Sequence, residues 1–425
     1  MTFNDDCVKK SDEKKFQEFE LIELGKVSKI SMGQSPPSKY YNYEGDGIPF
    51  LQGVKTFGNK YPKYDTRVTR PLKIATKGEV LFSVRAPVGE VNIATTDVCI
   101  GRGLASISGY DNEFIYYLLK SFGQKVIDRQ TGTVFGAVGR EILESTKLPI
   151  PSQTEQKAIA KILSDLDSKI ELNQKMNKTL ESIAHAIFKH WFIYFEFPNE
   201  EGKPYKSGGG EMVDSELGKI PKGWKVDKLS KIANVIDCLH SKKPNFVKSQ
   251  NFILQLYNFN EIHSIDLSDP YTVSDGDFHM WTRNITVKYG DILVSNAAKV
   301  GAISQVPEWF VGGIGRNITT IRAQGIGEYF LLYYLTSPLG TNQISMNTDV
   351  GTLFNSLNVK GIRLLRVLIP NSDLMKRSNF IFNSLRRKIE TNLLENTFLK
   401  STRDLLLPKL MAGKIRISAK VKENE

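Results

Sequence analysis

Cysteine is scarce in this chain of 425 residues, and the three that occur are Cys7, Cys99 and Cys238. An odd and widely separated set excludes a disulfide framework and a Cys-x-x-Cys zinc site. Long apolar runs are lacking too, since nowhere do eighteen apolar residues follow one another, so the sequence predicts no membrane span. The first twenty residues are rich in Asp, Glu and Lys and offer no apolar stretch for a signal peptide. We therefore expect a soluble cytoplasmic protein.

The sequence also lacks the motifs of enzymes that bind nucleotides or transfer methyl groups. It contains no Gly-x-x-x-x-Gly-Lys-Ser/Thr phosphate loop, and no Gly-x-Gly-x-x-Gly turn follows a predicted strand. The Pro-Pro step in Ser35–Ser38 lacks the Asn or Asp and the aromatic residue that amino methylation requires. The histidines provide no pair at helical spacing with a third ligand, and they are His185, His190, His240, His263 and His279. We expect no catalytic centre, no cofactor and no metal site in this chain.

Positive charge is in excess. Lysine and arginine number 57 against 46 aspartates and glutamates, which gives a net charge of +11 and a pI near 9.2. This balance suits a polyanionic partner such as nucleic acid, although many basic proteins bind none. Hydrophobic residues make up 40% of the chain, so it is globular, and at roughly 150 residues per domain its length predicts two or three domains.

An internal repeat runs through the sequence. The matched segments are Gly78–Ser83 with Gly290–Ser295, Ile100–Gly103 with Ile314–Asn317, Gly132–Phe135 with Gly351–Phe354, and Ile150–Pro151 with Ile369–Pro370. Their offsets are 212, 214, 219 and 219 residues, and the register then stays at 219. The sequence thus predicts an internal tandem duplication with copies of about 200 residues.

Each copy begins with a mixed segment and ends with one long helix. Short apolar runs such as Val80–Val84 and Ile292–Val294 predict buried strands, whereas Glu113–Ser121 and Glu328–Ser337 predict short helices. The predicted boundaries are 1–151 and 223–370 for the two mixed domains, 152–197 and 371–415 for the long helices, 198–222 for a linker, and 416–425 for a charged tail.

The first long helix carries a seam whose spacing is typical of a coiled coil. The predicted seam residues are Ile159, Ile162, Leu166, Ile170, Asn173, Met176, Leu180, Ile183, Ile187 and Trp191. Asn173 interrupts this seam, and Asn392 interrupts the seam of the second copy at the same place. Because a buried polar residue can fix how two helices align, we expect Asn173 and Asn392 to set the register of the pair.

Four segments of the chain together form a specific pattern: Pro149–Ile159, Ile187–Phe192, Met212–Val226 and Leu406–Ile415. These segments resemble the specificity (S) subunits of type I restriction-modification systems. The second copy departs from the pattern at Asp373–Lys376, where the first copy has a Glu-Gln pair. The resemblance extends over nearly the whole chain.

The resemblance implies an α/β (α+β) protein with two similar globular target-recognition domains, each reading one half of a split site in double-stranded DNA. It implies that the two long helices form an antiparallel coiled coil that separates these domains. Members of this family have no catalytic centre. They position methyltransferase (M) subunits, which carry S-adenosylmethionine, and restriction (R) subunits, which use ATP and magnesium.

Candidate DNA-binding residues are the basic and amide side chains of the predicted strands and loops, since such groups bond phosphates and base edges. In the first domain they are Lys55, Arg67, Arg70, Lys73 and Arg85, and in the second Lys242, Lys243, Arg283, Asn296 and Lys299. A solvated basic face is the alternative interpretation of the group. Arg85–Pro87 differs from Ala297–Lys299 within a matched segment, and such differences indicate two different half-sites, although drift would look similar.

Two further features recur in both copies. Thr133 and Thr352 each adjoin a glycine, where the backbone can approach a phosphate closely, and the alternative is an ordinary turn. Arg102 and Arg316 follow matched Ile-Gly steps, and structural ion pairing is favoured over DNA contact for both.

Two other functions stay open. One is a restriction-modification enzyme whose catalytic residues form no recognised motif, which turnover of the purified chain with S-adenosylmethionine, ATP and magnesium would reveal. The other is a coiled-coil adaptor that does not read DNA, which predicts no sequence preference even with partners present.

Overall fold

The computed structural model describes residues 19–128, 137–351 and 355–417. The chain divides into two compact units. The first combines residues 1–171 with residues 396–425, and the second comprises residues 172–395. Both divisions of the chain fall inside the long helices, so each unit contains one mixed domain and part of each long helix.

The first unit alternates short strands with a few helices, as its apolar runs predict. Its strands are β1 (Glu20–Glu23), β2 (Ser28–Met32), β3 (Tyr41–Asn42), β4 (Ile48–Leu51), β5 (Arg67–Val68), β6 (Ile74–Ala75), β7 (Val80–Ser83), β8 (Val91–Ile93), β9 (Val98–Ile100), β10 (Leu104–Gly109) and β11 (Lys147–Ile150). Its helices are α1 (Leu24–Val27), α2 (Asn112–Asp128) and α3 (Arg140–Ser145), and α4 (Gln153–Phe188) begins in it. The strand and helix predicted at Val80–Val84 and Glu113–Ser121 are β7 and the longer α2.

Two sheets organise the first unit. One is antiparallel in the order β2-β10-β7-β8, and the other has the order β3-β5-β4-β9-β6. Within the second sheet β4 and β9 run parallel, with Leu51 opposite Ile100. Because parallel neighbours end at the same edge of a sheet, the loops that follow β4 and β9 start side by side.

The core of the first unit lies between the antiparallel sheet, α2 and the ends of both long helices. Phe82 of β7, Tyr116 of α2 and Leu163 of α4 are fully buried together with Met411 near the end of the chain. Full burial of each such apolar side chain stabilises the fold by about 1.5–3 kcal/mol. Both long helices therefore contribute to the core of the first unit.

The second unit has a similar order of elements. Its strands are β12 (Met212–Ser215), β13 (Gly218–Pro221), β14 (Lys225–Lys228), β15 (Ala233–Asp237), β16 (Ile253–Leu254), β17 (Ile292–Ser295), β18 (Ile303–Gln305), β19 (Gly313–Ile314), β20 (Ile318–Ala323), β21 (Asp349–Val350), β22 (Asn355–Ser356) and β23 (Arg366–Ile369). Its helices are α5 (Leu229–Ile232), α6 (Asp275–Trp281), α7 (Glu328–Thr336), α8 (Pro338–Met346) and α9 (Val359–Leu364), and α10 (Ser372–Met411) begins in it. The segment predicted as a linker, 198–222, contains the hairpin of β12 and β13.

The main sheet of the second unit has the order β15-β20-β17-β18, and β16 pairs in parallel with β19 beside it. Helix α7 is buried on every side from Tyr329 to Leu335, which explains why its sequence is apolar throughout. Phe188 of α4 and Phe382 of α10 pack in the same core. Largely antiparallel sheets with separate helices place both units in the α+β class, as the sequence predicts.

The two long helices, of 36 and 40 residues, contact each other within each unit. The cross-helix pairs are Asp167 with Arg403 in the first unit, and Asn177 with Asn392 and Glu181 with Arg386 in the second, while Glu155 pairs with Arg416 just after the end of α10. In both units the residue numbers fall along the segment that pairs with α4 as they rise along α4. The helices therefore run antiparallel within each unit.

The buried side of α4 differs from the predicted apolar seam. The buried residues include Ile159, Leu163, Asp167, Ile170, Asn173, Asn177, Glu181, Ala184 and Phe188. Ile162 and Ile183, which were predicted in the seam, are 38% and 42% exposed. The prediction was wrong at these positions because, apart from Asn173, it admitted only apolar residues to the seam. The helix instead buries carboxylates opposite arginines and amides opposite amides.

Candidate nucleic-acid interface

Three strand ends of the first unit meet at one place. The Gly101 amide donates to the Leu51 carbonyl (2.8 Å), and the Gly103 amide donates to the carbonyl of Gln52 (3.2 Å). The amide of Val84, just after β7, donates to the Gly103 carbonyl (2.9 Å). We call this place the first junction; it consists of residues 52–55, 84–85 and 101–103, which follow β4, β7 and β9.

The loop after β2 is the fourth chain segment that contacts the first junction. Ser35 Oγ accepts a hydrogen bond from the Arg102 amide (3.1 Å), and the Gln34 amide donates to the Ile100 carbonyl (2.9 Å). Glycine is required at position 33, because a Cβ there would lie 2.2 Å from the Gly101 carbonyl oxygen. The close approach of these backbones fixes where the Arg102 side chain leaves the fold.

The second unit repeats this arrangement. The Gly315 amide donates to the Leu254 carbonyl (2.7 Å), and the Asn296 amide donates to the carbonyl of Asn317 (2.8 Å). Asn317 has a φ of 64°, a left-handed conformation that asparagine adopts more readily than most residues. We call this place the second junction; it consists of residues 255, 296–299 and 315–317, which follow β16, β17 and β19.

Exposed cations stand at both junctions. Lys55, Arg85 and Arg102 are exposed at the first, and Lys299 and Arg316 are exposed at the second. The sequence favoured ion pairing inside the fold for the two arginines after the Ile-Gly steps. Within the ranges that the structure describes, no carboxylate forms a salt bridge with either one. Both guanidinium groups are therefore available to an anion, and this was missed although the repeat marks both positions.

Three predicted residues of the first domain lie in or next to strands β5 and β6 of the five-stranded sheet and not at the junction. The Arg67 guanidinium donates twice to the Gly47 carbonyl, at 3.0 and 2.7 Å. Arg70 donates to the Tyr40 hydroxyl (3.3 Å) and stacks over its ring. Lys73 is exposed just before β6. Their contact with DNA stays a prediction.

The predicted residues of the second domain are also spread over more than one place. Lys243 lies over the Tyr271 ring, 4.0 Å from its centroid, and its neighbour Lys242 is exposed. Arg283 is exposed just after α6. Asn296 is at the second junction, but its side-chain amide donates to Thr319 Oγ1 (2.9 Å) and so supports the fold. Thr133 and Thr352 lie outside the described residues.

The asparagines predicted to set the helix register are both completely buried. Asn173 Nδ2 donates to Glu395 Oε2 (2.8 Å), whereas Asn392 Nδ2 donates to Asn177 Oδ1 (2.7 Å). Each therefore bonds across the helix pair. Whether they set the register stays a prediction.

The structure brings together one group of possible metal ligands that the spacing of the histidines in the sequence did not predict. Glu181 and His185 lie one turn apart on α4, and the loop that carries His263 brings a third possible ligand atom within 4.8 Å. The prediction considered only pairs of histidines on a helix, whereas the residue one turn before His185 is Glu181. The Arg386 guanidinium lies 3.2 Å from Glu181 Oε2, so the carboxylate already has a cationic partner. Burial opposes ionisation of Glu181, but the His185 ring and Arg386 prevail and lower its pKa.

A second group consists of Asp237 at the end of β15 and of Cys238 and His240 in the segment that follows it. The His240 ring lies 2.8 Å from Asp237 Oδ2. Cys238 is 2% exposed, and burial raises the pKa of its thiol, which disfavours the thiolate that metals bind.

Among the helices that the structure describes, none is both long and apolar enough to cross a membrane.

Comparison with known proteins finds chains that are similar to this one. The family model for the type I restriction modification DNA specificity domain matches residues 14–182. The MjaX specificity subunit of a type I restriction enzyme from Methanocaldococcus jannaschii is 46% identical over 177 residues, which are 40% of this chain and 42% of that protein. The MjaIX specificity subunit of the same organism is 27% identical over 94% of both chains.

A solved structure shares the fold along nearly the whole chain. The S subunit of a type I restriction-modification system from M. genitalium has a TM-score of 0.57 at 17% identity, and the match covers 92% of this chain and 96% of the other. The family model, the relatives and the fold agree with each other. Residues 14–182 therefore match the type I restriction modification DNA specificity domain, and the chain is similar to type I restriction-modification specificity subunits.

Proposed function

We propose that this chain recognises the DNA sequence for a type I restriction-modification complex and that each unit reads one half of a split site. The observation that carries the proposal is the repeated junction. Both units bring the same strand ends together with equivalent backbone hydrogen bonds, and both leave an arginine exposed there. The side chains around that arginine differ between the units.

Residues that the two junctions share and residues that differ between them suit different parts of DNA. The phosphate backbone is alike at both half-sites, so the shared Arg102 and Arg316 suit phosphates. Bases differ between half-sites, so residues that differ between the junctions suit base edges. Arg85 at the first junction and Lys299 at the second are the leading base-reading candidates. An arginine that contacts guanine with two hydrogen bonds discriminates by about 1–3 kcal/mol.

The long helices have a separate role in this proposal. They pair as an antiparallel coiled coil that spaces the two recognition domains, and the whole chain arose by tandem duplication. The chain itself is not catalytic. It positions methyltransferase subunits, which bind S-adenosylmethionine, and restriction subunits, which use ATP and magnesium, and the complex acts on DNA in the cytoplasm. The antiparallel contacts within each unit support the coiled coil, and the repeat offset of 219 residues supports the tandem duplication.

The test combines the purified chain with its methyltransferase subunit and maps the methylated sites. We expect no methylation by the chain alone and a single split site with the partner. Arg85→Ala should relax one position of one half-site, and Lys299→Ala should relax the other half-site only. Arg140→Ala is the control, since Arg140 is exposed on α3 and pairs with Glu144.

Two results would count against the proposal. Methylation by the chain alone would make it an enzyme. Unchanged site choice in both Arg85→Ala and Lys299→Ala would show that the junctions do not face the bases.

A further inference from the structure

Three ion pairs within the units have their carboxylate on α4 and their arginine in or just after α10, although α10 also buries the carboxylate of Glu390. Three carboxylates of α4 are only 5–7% exposed, and each pairs with an arginine in or just after α10. The pairs and their shortest N–O distances are Glu155 with Arg416 at 2.9 Å, Asp167 with Arg403 at 2.7 Å, and Glu181 with Arg386 at 3.2 Å. Each pair lies within one unit.

These pairs are tied into the fold. Tyr117 of the first unit donates to Asp167 (2.5 Å), and Tyr333 of the second donates to Glu181 (3.2 Å). Arg386 is completely buried and also donates to the carbonyls of Ile262 and His263. Leaving one member of a buried ion pair without its partner costs about 3–5 kcal/mol. The helix that lies against α4 must therefore supply the arginines.

The internal repeat shows what a copy of α4 would supply instead. At the offset of 219 residues, which separates Ile150 from Ile369, Arg386 corresponds to Asp167 and Arg403 corresponds to Ala184. If α4 paired in the same way with a second α4, Glu181 would face Asp167 of the copy. Two-fold symmetry would create this contact twice, and Asp167 would lose its arginine.

A pair of α10 helices meets the opposite problem. At the same offset Asp167 corresponds to Arg386, and Glu181 corresponds to Lys400. Arg403 would therefore face Arg386 of the copy, and Arg386 would face Lys400. Both pairings of like helices bury like charges against each other, whereas the pairing of unlike helices neutralises them.

The buried asparagines do not distinguish a pair of unlike helices from a pair of like helices. Asn392 corresponds to Asn173 at the repeat offset, so Asn177 would meet an asparagine in either pairing. The amides thus suit any antiparallel pairing in this register. Only the charged residues depend on which helix is the partner.

We propose that this division of charge selects the helix partner: α4 accepts a helix with arginines at the places of Arg386 and Arg403 and rejects a second copy of itself. The interface therefore assembles from one α4 and one α10, from the same chain or from two chains. This selection goes beyond DNA reading and does not depend on it, so a failure of either proposal leaves the other standing.

The test uses the full chain with a protease site in its exposed segment 206–209. The folded protein is cut there, unfolded in urea and refolded, and native mass spectrometry then measures which halves associate. We expect the parent chain to give complexes of unlike halves. The exchange D167R/R403D keeps an ion pair between α4 and α10. In a pair of two α4 helices, it places the introduced arginine against Glu181 of the copy. In a pair of two α10 helices, it places the introduced aspartate against Arg386 of the copy. Complexes of like halves should then rise at least about tenfold, which corresponds to about 1.4 kcal/mol.

A matched control reverses two charges that do not cross between the helices. Lys161 and Asp165 form an exposed pair on α4, so K161D/D165K should behave like the parent chain. A statistical mixture of halves from the parent chain would overturn the proposal. So would a D167R/R403D chain that pairs as selectively as this control.

A measurement on the uncut chain covers the case in which the exchanged protein does not refold after cutting. Asp167→Arg and Arg403→Asp alone should each lower the midpoint of urea unfolding, and the exchange should recover part of the loss. If the two single effects simply add, the charges are not coupled and the proposal fails.

Discussion

A methyl group at Gly103 should disturb the first junction more than its size suggests. A Cβ at this position would lie 2.4 Å from the carbonyl oxygen of Gln52, and real Cβ atoms essentially never come within 3.0 Å of another group. The obstacle is backbone on both sides, because Gly103 donates to Gln52 and accepts from Val84. Gly103→Ala must therefore separate the chain segments that follow β4 and β9. Such overpacking costs about 1–3 kcal/mol.

The displacement should reach the neighbouring Arg102, so DNA reading should suffer together with stability. We expect a lower urea midpoint for Gly103→Ala and weaker binding of the methyltransferase complex to DNA carrying the first half-site. Gly53→Ala is the matched control, because a Cβ there meets nothing within 4 Å, and its effect on stability should stay within about 0.5 kcal/mol. If both variants bind DNA equally well, the first junction does not contact DNA.

Two further predictions concern charge. Arg102→Ala should weaken binding to all DNA sequences alike and lower the slope of log affinity against log salt by about 0.9, the share of one phosphate contact; an unchanged slope would contradict that contact. Burial lowers the pKa of His263 in the folded state, so the unfolded chain takes up the proton first and stability falls as the pH drops below about 6.5. His263→Gln should lose less stability than the parent between about pH 7 and 5 in urea unfolding, whereas the exposed His190→Gln should follow the parent. A His263→Gln chain with the parent's full loss would refute this assignment.

Regular elements could be predicted because their apolar patterns are local. The strands β7 and β17 and the helix α7 lie where short apolar runs placed them. The repeat marked Arg102 and Arg316, but the sequence favoured ion pairing for both and did not predict their exposure. The junctions themselves could not be predicted, since they depend on hydrogen bonds between segments about fifty residues apart, such as Gly103 with Gln52. Glycine at positions 33 and 101 was the available signal, but only the neighbouring backbone shows why it is needed.

The long helix could be predicted, but its buried side was read incorrectly. Periodicity assigns burial by hydrophobicity, so Ile162 was favoured over Leu163 and the acidic residues were left in solvent. Asp167 and Glu181 are buried because each meets an arginine more than two hundred positions away in sequence. No pattern within one helix contains that information. It appears only when both helices are compared.

Apolar packing and charge have different roles in this helix pair. Phe188 packs in the core of the second unit, and its counterpart at the repeat offset, Leu407, packs in the core of the first. Phe192 and Met411 correspond in the same way. Each recognition domain thus receives an apolar side chain from the end of whichever helix reaches it, and burial of about 1.5–3 kcal/mol per side chain depends little on which one arrives. The stabilisation is therefore largely common to all pairings, and the difference between partners must come from Asp167, Glu181 and their arginines, where the sign of the charge changes from one helix to the other.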